Sequence, residues 1–465
     1  MIKKIVAVAM TALMAFTFSA CADKEGASDN INNSTGNTGG ITSEFNSGEI
    51  ELLRQDSKLT QEQVLSRIKA EKLIENKGYK DDDAIKVMVK LPETSLVESF
   101  NSGANATFGS VAEYSKSSAG IIEKRAINAR QESVVSELKA KGLIDSVEYR
   151  YNTVTNAIAV TAKYGNLEKI KSVTGVENVY ISDTYNRPQA ISVDEVNSIV
   201  NDVDVYDTGI FNSGVLPQYT GDGTAVAVLD SGFDCSHSVF RNSNITKPVL
   251  TTEKIGKSLA GMNASDAEKG SPGVAVSDVY YSVKIPFKYD YADKDSDVFP
   301  YDSEHGTHVA GIIGGYDRED KEGQRITGIA INTQMVLMKV FPDLDEGAET
   351  DDILAALEDA MELGVDAINM SLGSSCGFAR EVDKVWINEV YDALKVSGIS
   401  VITAASNSYS SGFGGEQGNT NMVSNPDSAT VGSPSTYEAC LSVASISGVK
   451  SRYLIGNDEQ VLFFD

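Results

Sequence analysis

The stretch that decides the fold is Thr224-Ala225-Val226-Ala227-Val228-Leu229-Asp230-Ser231-Gly232. A nearly continuous apolar run over 224–229 is typical of a strand buried on both faces of a parallel sheet. Asp230 follows this run immediately, so we expect its carboxylate at the carboxyl end of the strand. Ligand and catalytic sites of open α/β sheets lie along that edge. Asp230 is therefore the first candidate functional residue.

Similar apolar runs follow at intervals that leave room for helices, at 334–341, 365–372, 399–405 and 440–446. Between them, Thr350 is suited to cap a helix that ends at Gly364. A second helix is predicted from 385 to 394. Because buried strands alternate with helices, the sequence predicts a doubly wound α/β domain with a mostly parallel sheet. We place this domain at residues 187–465.

A smaller unit is predicted upstream, over residues 84–186. Its expected elements are strands at 85–91, 146–151, 157–163 and 176–182 and helices at 126–141 and 167–173. The order β-α-β-β-α-β is that of a ferredoxin-like α+β unit. This order alone does not indicate a function, because many functions use it.

Charge and composition exclude two classes of function. The chain of 465 residues has 66 acidic and 40 basic side chains and a formal net charge of −26. A surface this negative repels phosphate backbones, which argues against nucleic-acid binding. The long apolar stretch lies at the extreme N-terminus, so we expect no internal membrane span.

The first residues are typical of an export signal. Residues 1–20 combine a basic start with a short apolar run, and Cys21 follows Phe18-Ser19-Ala20. Small residues before a cysteine resemble the lipobox of bacterial lipoproteins, with ordinary signal cleavage as the alternative. Residues 21–47 are then a disordered tether, and 48–83 a helical spacer. We expect a protein outside the cytoplasmic membrane, anchored to the outer face of the membrane or cell envelope only through its N-terminal lipid.

Histidine is scarce, which narrows the search for a general base. The sequence has three histidines, two of them in the run His305-Gly306-Thr307-His308. An imidazole can take the proton from a hydroxyl nucleophile when a buried carboxylate holds its tautomer. Asn407 follows the strand predicted at 399–405, and an amide there can donate to an oxyanion. Asp230, His305 and Asn407 are thus the candidate catalytic residues.

These blocks resemble the subtilisin-like serine peptidases, the subtilases. The wider sequence around them resembles the cell-envelope, lactocepin-type group of that family. The resemblance implies that Asp230 is the triad aspartate, His305 the triad histidine and Asn407 the oxyanion-hole amide, although Ser406 replaces the usual glycine. The same resemblance implies a substrate-binding segment, made of Ser371, Leu372, Gly373 and Ser374. It makes residues 84–186 an inhibitory propeptide, removed by cleavage between Ser182 and Asn212.

The triad serine of subtilases lies in a Gly-Thr-Ser-x-Ala segment, which this sequence does not contain. We expect the N-terminal portion of a secreted serine endopeptidase zymogen, with protein or peptide substrates. A truncated inactive product and a serine from a second polypeptide stay open. The alternative function is a catalytically inactive surface protein that binds peptides on a subtilase scaffold. A lesser alternative is a metallohydrolase that uses His305 and His308.

An acidic loop raises the question of calcium. Asp293, Asp295, Asp297 and Glu304 have the spacing of EF-hand ligands, but Val298 stands where that loop needs glycine, so we reject an EF-hand. A looser structural calcium site stays open, since subtilases often bind calcium, and a solvated loop is favoured over it. We expect no metal or other cofactor in the chemistry.

Overall fold

The computed structural model describes residues 79–186, 219–373, 385–405, 431–444, 451–454 and 461–464, apart from gaps at 103–106, 242–243, 266–273, 302, 318–325 and 345–346. The predicted signal, Cys21, the tether and most of the spacer lie outside these residues. Among the helices that are described, none has both the length and the apolar character needed to cross a bilayer.

The N-terminal unit, residues 84–186, has the predicted ferredoxin-like order. Its elements are β1 (Ala84–Lys90), α1 (Leu96–Asn101), α2 (Val111–Lys116), α3 (Ser118–Ala140), β2 (Ser146–Tyr151), β3 (Ala157–Lys163), α4 (Leu167–Lys171) and β4 (Asn178–Ile181). The sheet order is β2-β3-β1-β4, with every pair antiparallel. The short helices α1 and α2 were not predicted, and α3 begins earlier than expected.

The sheet of this unit is buried on both faces. Val87 and Val89 of β1 pack with Val134 and Leu138 of α3. Met88, which points to the opposite face as strand alternation requires, belongs instead to the large core shared with the rest of the molecule. Because β1 lies between two cores, its sequence is apolar at successive positions instead of alternating.

The main sheet confirms the α/β fold class. Its strands are β6 (Ala225–Asp230), β7 (Phe287–Asp290), β10 (Gln334–Lys339), β12 (Ala367–Met370), β13 (Ser400–Ala404) and β14 (Cys440–Val443). They lie in the order β14-β13-β12-β6-β10-β7, and every neighbouring pair is parallel. The edge strand β7 was not predicted, because a four-residue strand with Lys288 in it has no continuous apolar run.

Helices cover both faces of this sheet. They are α5 (Thr252–Leu259), α6 (Val276–Val279), α7 (His305–Gly314), α8 (Thr350–Leu363) and α9 (Val385–Val396). Val309 and Ile313 of α7 pack on Val226 and Val228 from one face. Helices α8 and α9 pack in the core that holds Ala225, Ala227 and Leu229 on the other face. The alternation along β6 thus divides the apolar side chains between two helical layers.

The helix predicted after Thr350 begins one residue earlier than a Thr350 cap requires. Thr350 is the first residue of α8 and Glu349 is the N-cap, so the prediction of Thr350 as the cap is wrong. The Thr350 hydroxyl instead donates to the Asp183 carbonyl at 3.1 Å and accepts from the Asp183 amide at 3.1 Å. Gly364 ends the helix with φ 73°, as predicted.

Short strands complete the described structure. They are β5 (Thr184–Asn186), β8 (Tyr316–Asp317), β9 (Ile326–Thr327), β11 (Gly347–Glu349), β15 (Ser451–Leu454) and β16 (Val461–Phe464). Strand β5, the end of the N-terminal unit, pairs antiparallel with β11, and Tyr185 lies opposite Ala348. The N-terminal unit therefore adds a strand to the edge that leads into α8.

Candidate active site

Asp230 ends β6 at the carboxyl edge of the main sheet and is fully buried. Its Oδ1 accepts from the Ser231 amide at 2.7 Å and contacts the His305 ring. The apolar sequence of β6 fixes this placement, because the strand can only pass through the centre of the sheet and its first polar residue emerges at the end. The expectation that Asp230 stands at a strand end is confirmed.

His305 is the first residue of α7, and its Nδ1 lies 2.8 Å from Asp230 Oδ1. The next residue allows this approach. A Cβ atom on Gly306 would lie 2.3 Å from the Gly232 carbonyl oxygen and 3.0 Å from the Asp230 Cβ. Glycine at 306 therefore lets the start of α7 contact the end of β6. Since Nδ1 faces the carboxylate, Nε2 is left for a reacting group.

The pKa of His305 is raised above its usual value. Burial by itself would lower it, but the charge of Asp230 and the hydrogen bond that its carboxylate accepts from the ring outweigh the burial. The pKa of His308 moves the opposite way, because burial and the neighbouring His305 both disfavour its charged form. The pKa values of the two histidines thus shift in opposite directions, and His305 is the one whose ring contacts a carboxylate.

The predicted substrate-binding segment is described in part. Ser371 and Leu372 directly follow β12 and are buried, and the Ser371 hydroxyl accepts from Asn369 Nδ2 at 3.1 Å. Gly373 is half-buried and passes close to Ser433. Ser374 and the predicted oxyanion donor Asn407 lie outside the described residues. The structure thus brings Asp230 and His305 together and gives no position for Asn407.

Sequence reasoning missed the strand β11, which lies between β10 and α8. It is three residues long and offers a backbone edge that β5 occupies. Small residues at Gly347 and Ala348, just before a predicted helix, were the available signal. A Cβ on Gly347 would lie 2.3 Å from the Thr184 methyl group, so a larger residue here would force the Thr184 side chain to move.

Residues 221–456 match the family model of peptidase S8, the subtilase family. The chain belongs to the subtilase family. The predicted resemblance is thereby confirmed, and we refer to residues 221–456 as the subtilase domain. A serine peptidase family is consistent with the contact between Asp230 and His305 in this domain.

The relatives are much longer than this chain. The PIII-type proteinase of Lactococcus lactis subsp. cremoris (strain SK11) is 29% identical over 375 residues, which are 80% of this chain and 17% of that protein. The C5a peptidase of Streptococcus pyogenes serotype M6 is 33% identical over 231 residues, 49% of this chain and 18% of that protein. A crystal structure of the epidermin leader peptide processing serine protease (EpiP) from Staphylococcus aureus aligns with a TM-score of 0.37 at 15% identity, over 70% of this chain and 60% of that one.

The N-terminal unit packs against α8 and forms hydrogen bonds with carboxylates of that helix. Glu358 accepts from the backbone amides of Asn152, Thr153 and Val154 at 3.0 to 3.1 Å. Burial raises the pKa of Glu358 to about 8, although these amides and Lys124 act to lower it. The linker between β2 and β3 thus supplies the hydrogen bonds that a buried carboxylate of the subtilase domain requires.

Glu362, one turn further along α8, is held by the same unit. Lys124 Nζ lies 2.5 Å from its Oε1, the Thr153 hydroxyl donates to the same atom at 2.7 Å, and the Ser115 hydroxyl donates to Oε2 at 2.8 Å. At the start of α8, Lys86 of β1 lies 3.2 Å from Asp351 and 3.4 Å from Asp352. The N-terminal unit therefore brings an ammonium group to each end of this face of α8, Lys86 at the start and Lys124 near the end.

A group of carboxylates near β7 bears on the calcium prediction. Oxygen atoms of Asp290, Asp293 and Asp343 lie close enough together to hold a cation. However, Lys339 Nζ lies between them, 2.5 Å from both Asp290 and Asp343 and 3.4 Å from Asp293. The ammonium already supplies the positive charge, so these residues do not fit calcium.

The other acidic residues of this loop fix its turns. The carboxylates of Asp295 and Asp297 accept from backbone amides two residues further on, at Asp297 and Phe299. Asp297 also accepts from the Tyr301 hydroxyl at 2.8 Å. Aspartates spaced by two residues are thus accounted for by side-chain turns.

Proposed function

We propose that this chain is the N-terminal portion of an exported subtilisin-like serine endopeptidase, made as a zymogen. The contact of 2.8 Å between His305 Nδ1 and the buried Asp230 carboxylate is the observation that carries the proposal. It lies at the carboxyl edge of a parallel sheet, in a domain of a serine peptidase family. The substrates are proteins or peptides, bound in extended form.

In this proposal His305 is the general base. Its Nε2 takes the proton from the attacking serine hydroxyl and later gives it to the leaving amine. Asp230 orients the ring and stabilises the imidazolium, which agrees with the raised pKa of His305. Asn407 would donate to the oxyanion of the tetrahedral intermediate. The nucleophilic serine would come from residues after 465, because no Gly-Thr-Ser-x-Ala segment occurs in this sequence.

Residues 84–186 act as the inhibitory propeptide in this proposal. The support is that β5 occupies the edge of β11 in extended form, as a peptide substrate would in strand addition. The buried contacts with Glu358 and Glu362 hold the unit on α8 at the same time. Cleavage between Ser182 and Asn212 would release the mature domain. Residues 1–20 would direct export, and a lipid on Cys21 would anchor the protein to the envelope.

The test requires a longer protein, extended until it includes the Gly-Thr-Ser-x-Ala segment. We expect it to hydrolyse a fluorogenic peptide, and we expect His305→Ala or Asp230→Ala to reduce kcat by about 10⁴-fold. His237→Ala is the matched control, because His237 is an exposed histidine whose ring accepts a hydrogen bond from the Val239 amide two residues further on. Equal turnover by His305→Ala and His237→Ala would overturn the assignment.

The alternative is a surface protein that binds peptides without cleaving them. The paired strands β5 and β11 are compatible with it, because strand addition needs no catalysis. It predicts that the extended protein binds an extended peptide but shows no hydrolysis and no covalent labelling by a serine-directed fluorophosphonate. Labelling that His305→Ala abolishes would exclude this alternative.

A further inference from the structure

Helix α7 carries His305 at its first position but has no side-chain cap of its own. The N-cap residue is Glu304, and its side chain accepts no hydrogen bond from the first turn. The first amides of a helix have no partner within the helix, so other groups must satisfy them. The position of His305 therefore depends on which groups hold these amides in place.

A hydroxyl group from the end of β6 takes the place of this cap. Ser231 Oγ accepts from the Gly306 amide at 3.4 Å and donates to the Ser303 carbonyl at 3.2 Å. Ser231 is buried, with 4% of its surface exposed, so little water can compete for these groups. One hydroxyl thus joins the backbone on both sides of His305, two residues before it and one residue after it.

The same residue also holds the carboxylate that His305 contacts. The Ser231 amide donates to Asp230 Oδ1 at 2.7 Å, and this oxygen lies 2.8 Å from His305 Nδ1. Asp230 Oδ2 has no hydrogen-bond partner among the described residues, so Oδ1 carries the contacts that orient the group. Ser231 therefore bonds Asp230 through its amide and the helix of His305 through its hydroxyl.

Further contacts hold the turn after β6 against its surroundings. The Asp234 amide donates to the Thr307 hydroxyl at 2.9 Å, and the Phe233 amide donates to the Val298 carbonyl at 2.6 Å. These bonds remain when the Ser231 hydroxyl is removed. Loss of that hydroxyl should therefore loosen the first turn of α7 without detaching the helix from β6.

We propose that Ser231 is a positioning residue for the His305 ring, and that its hydroxyl caps α7 from the neighbouring strand. The inference rests on the proposed function, because it concerns how the general base of that function is held. The Ser231 hydroxyl is engaged with Ser303 and Gly306, so it acts through the helix and not on the substrate. Its loss should impair proton transfer and leave peptide binding as it is.

The first test measures the pKa of His305 by NMR in the 465-residue chain. In Ser231→Ala this pKa should fall by about 0.5 or more, because the ring is held less closely against Asp230. Ser236→Ala is the matched control, since Ser236 is an exposed serine of the same turn whose hydroxyl donates to Asp234 at 2.6 Å. It should leave the pKa of His305 unchanged.

Ser231→Cys is the second variant, in case Ser231→Ala does not fold. A thiol fills the space of the hydroxyl but is a weak hydrogen-bonding group, so the pKa of His305 should again fall. An unchanged pKa in either folded variant, or an equal fall in Ser236→Ala, would overturn the proposal. Loss of folding in both variants would also overturn it, because Ser231 would then serve general stability.

Kinetics of the extended protein separate positioning from stability. In Ser231→Ala, kcat should fall about tenfold while KM changes less than about twofold. The acid limb of the pH profile of kcat should move to lower pH, because a base with a lower pKa loses its proton more readily. A lower kcat with an unmoved acid limb would contradict the proposal. Since the pKa of His305 is measured without hydrolysis, failure of the proposed peptidase activity is distinguishable from failure of this inference.

Discussion

Two groups of buried carboxylates in this molecule are satisfied in different ways. Asp230 receives its hydrogen bonds from Ser231 and His305, both inside the subtilase domain. Glu358 and Glu362 of α8 receive theirs mainly from the N-terminal unit. The contact between Asp230 and His305 is therefore complete without the N-terminal unit, whereas the carboxylates on the face of α8 have their partners only with it.

This difference indicates which part of the structure should change when the N-terminal unit separates from the subtilase domain. The geometry of Asp230 and His305 should persist, because no described hydrogen bond of the pair comes from residues 84–186. The face of α8 should become a surface of exposed acidic side chains. Trp386 can report the separation, since it is the single tryptophan of the sequence and stacks on Tyr180 of β4 with centroids 5.1 Å apart.

The largest expected effect comes from removing the cation that Glu362 contacts. Lys124→Met leaves Glu362 buried with its charge unmatched, because the two side chains are only 11% and 3% exposed. Breaking a buried pair from one side costs about 3–5 kcal/mol. We expect Trp386 fluorescence in a urea titration to show the N-terminal unit leaving α8 at a clearly lower urea concentration.

The matched control is Lys141→Met, which removes an exposed lysine of the same unit. Lys141 pairs with Glu137, and these side chains are 50% and 39% exposed. An exposed pair of this kind contributes less than about 0.5 kcal/mol. Similar shifts for the two variants would show that α8 does not depend on the N-terminal unit for its charge balance.

The contact between Asp230 and His305 should be broken by a methyl group at Gly306. Gly306→Ala forces α7 away from β6, since its Cβ would meet the Gly232 carbonyl. We expect the pKa of His305, followed by NMR, to fall from its raised value, because the ring loses Asp230. In the extended protein kcat/KM should fall by about 100-fold or more, the effect of a 1 Å misplacement.

Gly311→Ala is the control on the same helix. Its Cβ would meet nothing within 4 Å. Alanine in a helix interior is more favourable than glycine by about 0.5–1 kcal/mol. The His305 titration should therefore be unchanged in Gly311→Ala. A pKa of His305 that is equally high in Gly306→Ala would show that the close approach of α7 does not create the pair.

The smallest effect expected is a pH dependence of docking. When the N-terminal unit is docked on α8, the pKa of Glu358 is about 8, against 4.5 for an ordinary glutamate. Between pH 4.5 and 8, docking is therefore accompanied by protonation of Glu358. Docking is then strongest at low pH and weakens as the pH rises from 5 to 8, with a slope of at most about 1.4 kcal/mol per pH unit. The urea midpoint reported by Trp386 should fall over this range.

Glu358→Gln should flatten this pH profile, because an amide does not titrate. Glu389→Gln is the control, since Glu389 also contacts the N-terminal unit, through Lys90 at 2.5 Å, but is 47% exposed. Its profile should keep the slope of the unchanged chain. A slope that survives Glu358→Gln would assign the pH dependence to the net negative charge and not to the buried carboxyl group.

The sequence predicted those strands that correspond to uninterrupted runs of apolar or strand-forming residues. The apolar run before Asp230 predicted β6, and the strand pair predicted at 146–151 and 157–163 matches the observed bounds of β2 and β3. Strand β7 and helices α1 and α2 were missed, because they are short and owe their burial to contacts with distant residues. The role of Thr350 was mispredicted for the same reason, since its hydroxyl bonds Asp183, which is 167 residues away.

The part of the candidate site that lies in short sequence motifs could be predicted from the sequence. The sequence around Asp230 and His305 indicated both residues and their closeness. It gave no signal for the pairing of β5 with β11, because the two strands come from distant segments that only the fold brings together. The burial of the acidic residues of α8 was not predicted, because it becomes visible only when the N-terminal unit is placed against them.

At the carboxyl edge of the sheet, the Lys339 side chain links neighbouring segments in the way that a bound metal ion could. Its ammonium joins Asp290 at the end of β7 to Asp343 in the turn beyond β10. A bound ion doing the same task could be withdrawn by a chelator, whereas a side chain cannot diffuse away. The structure around Lys339 should therefore be independent of the concentration of divalent cations, including in surroundings where other organisms sequester these ions.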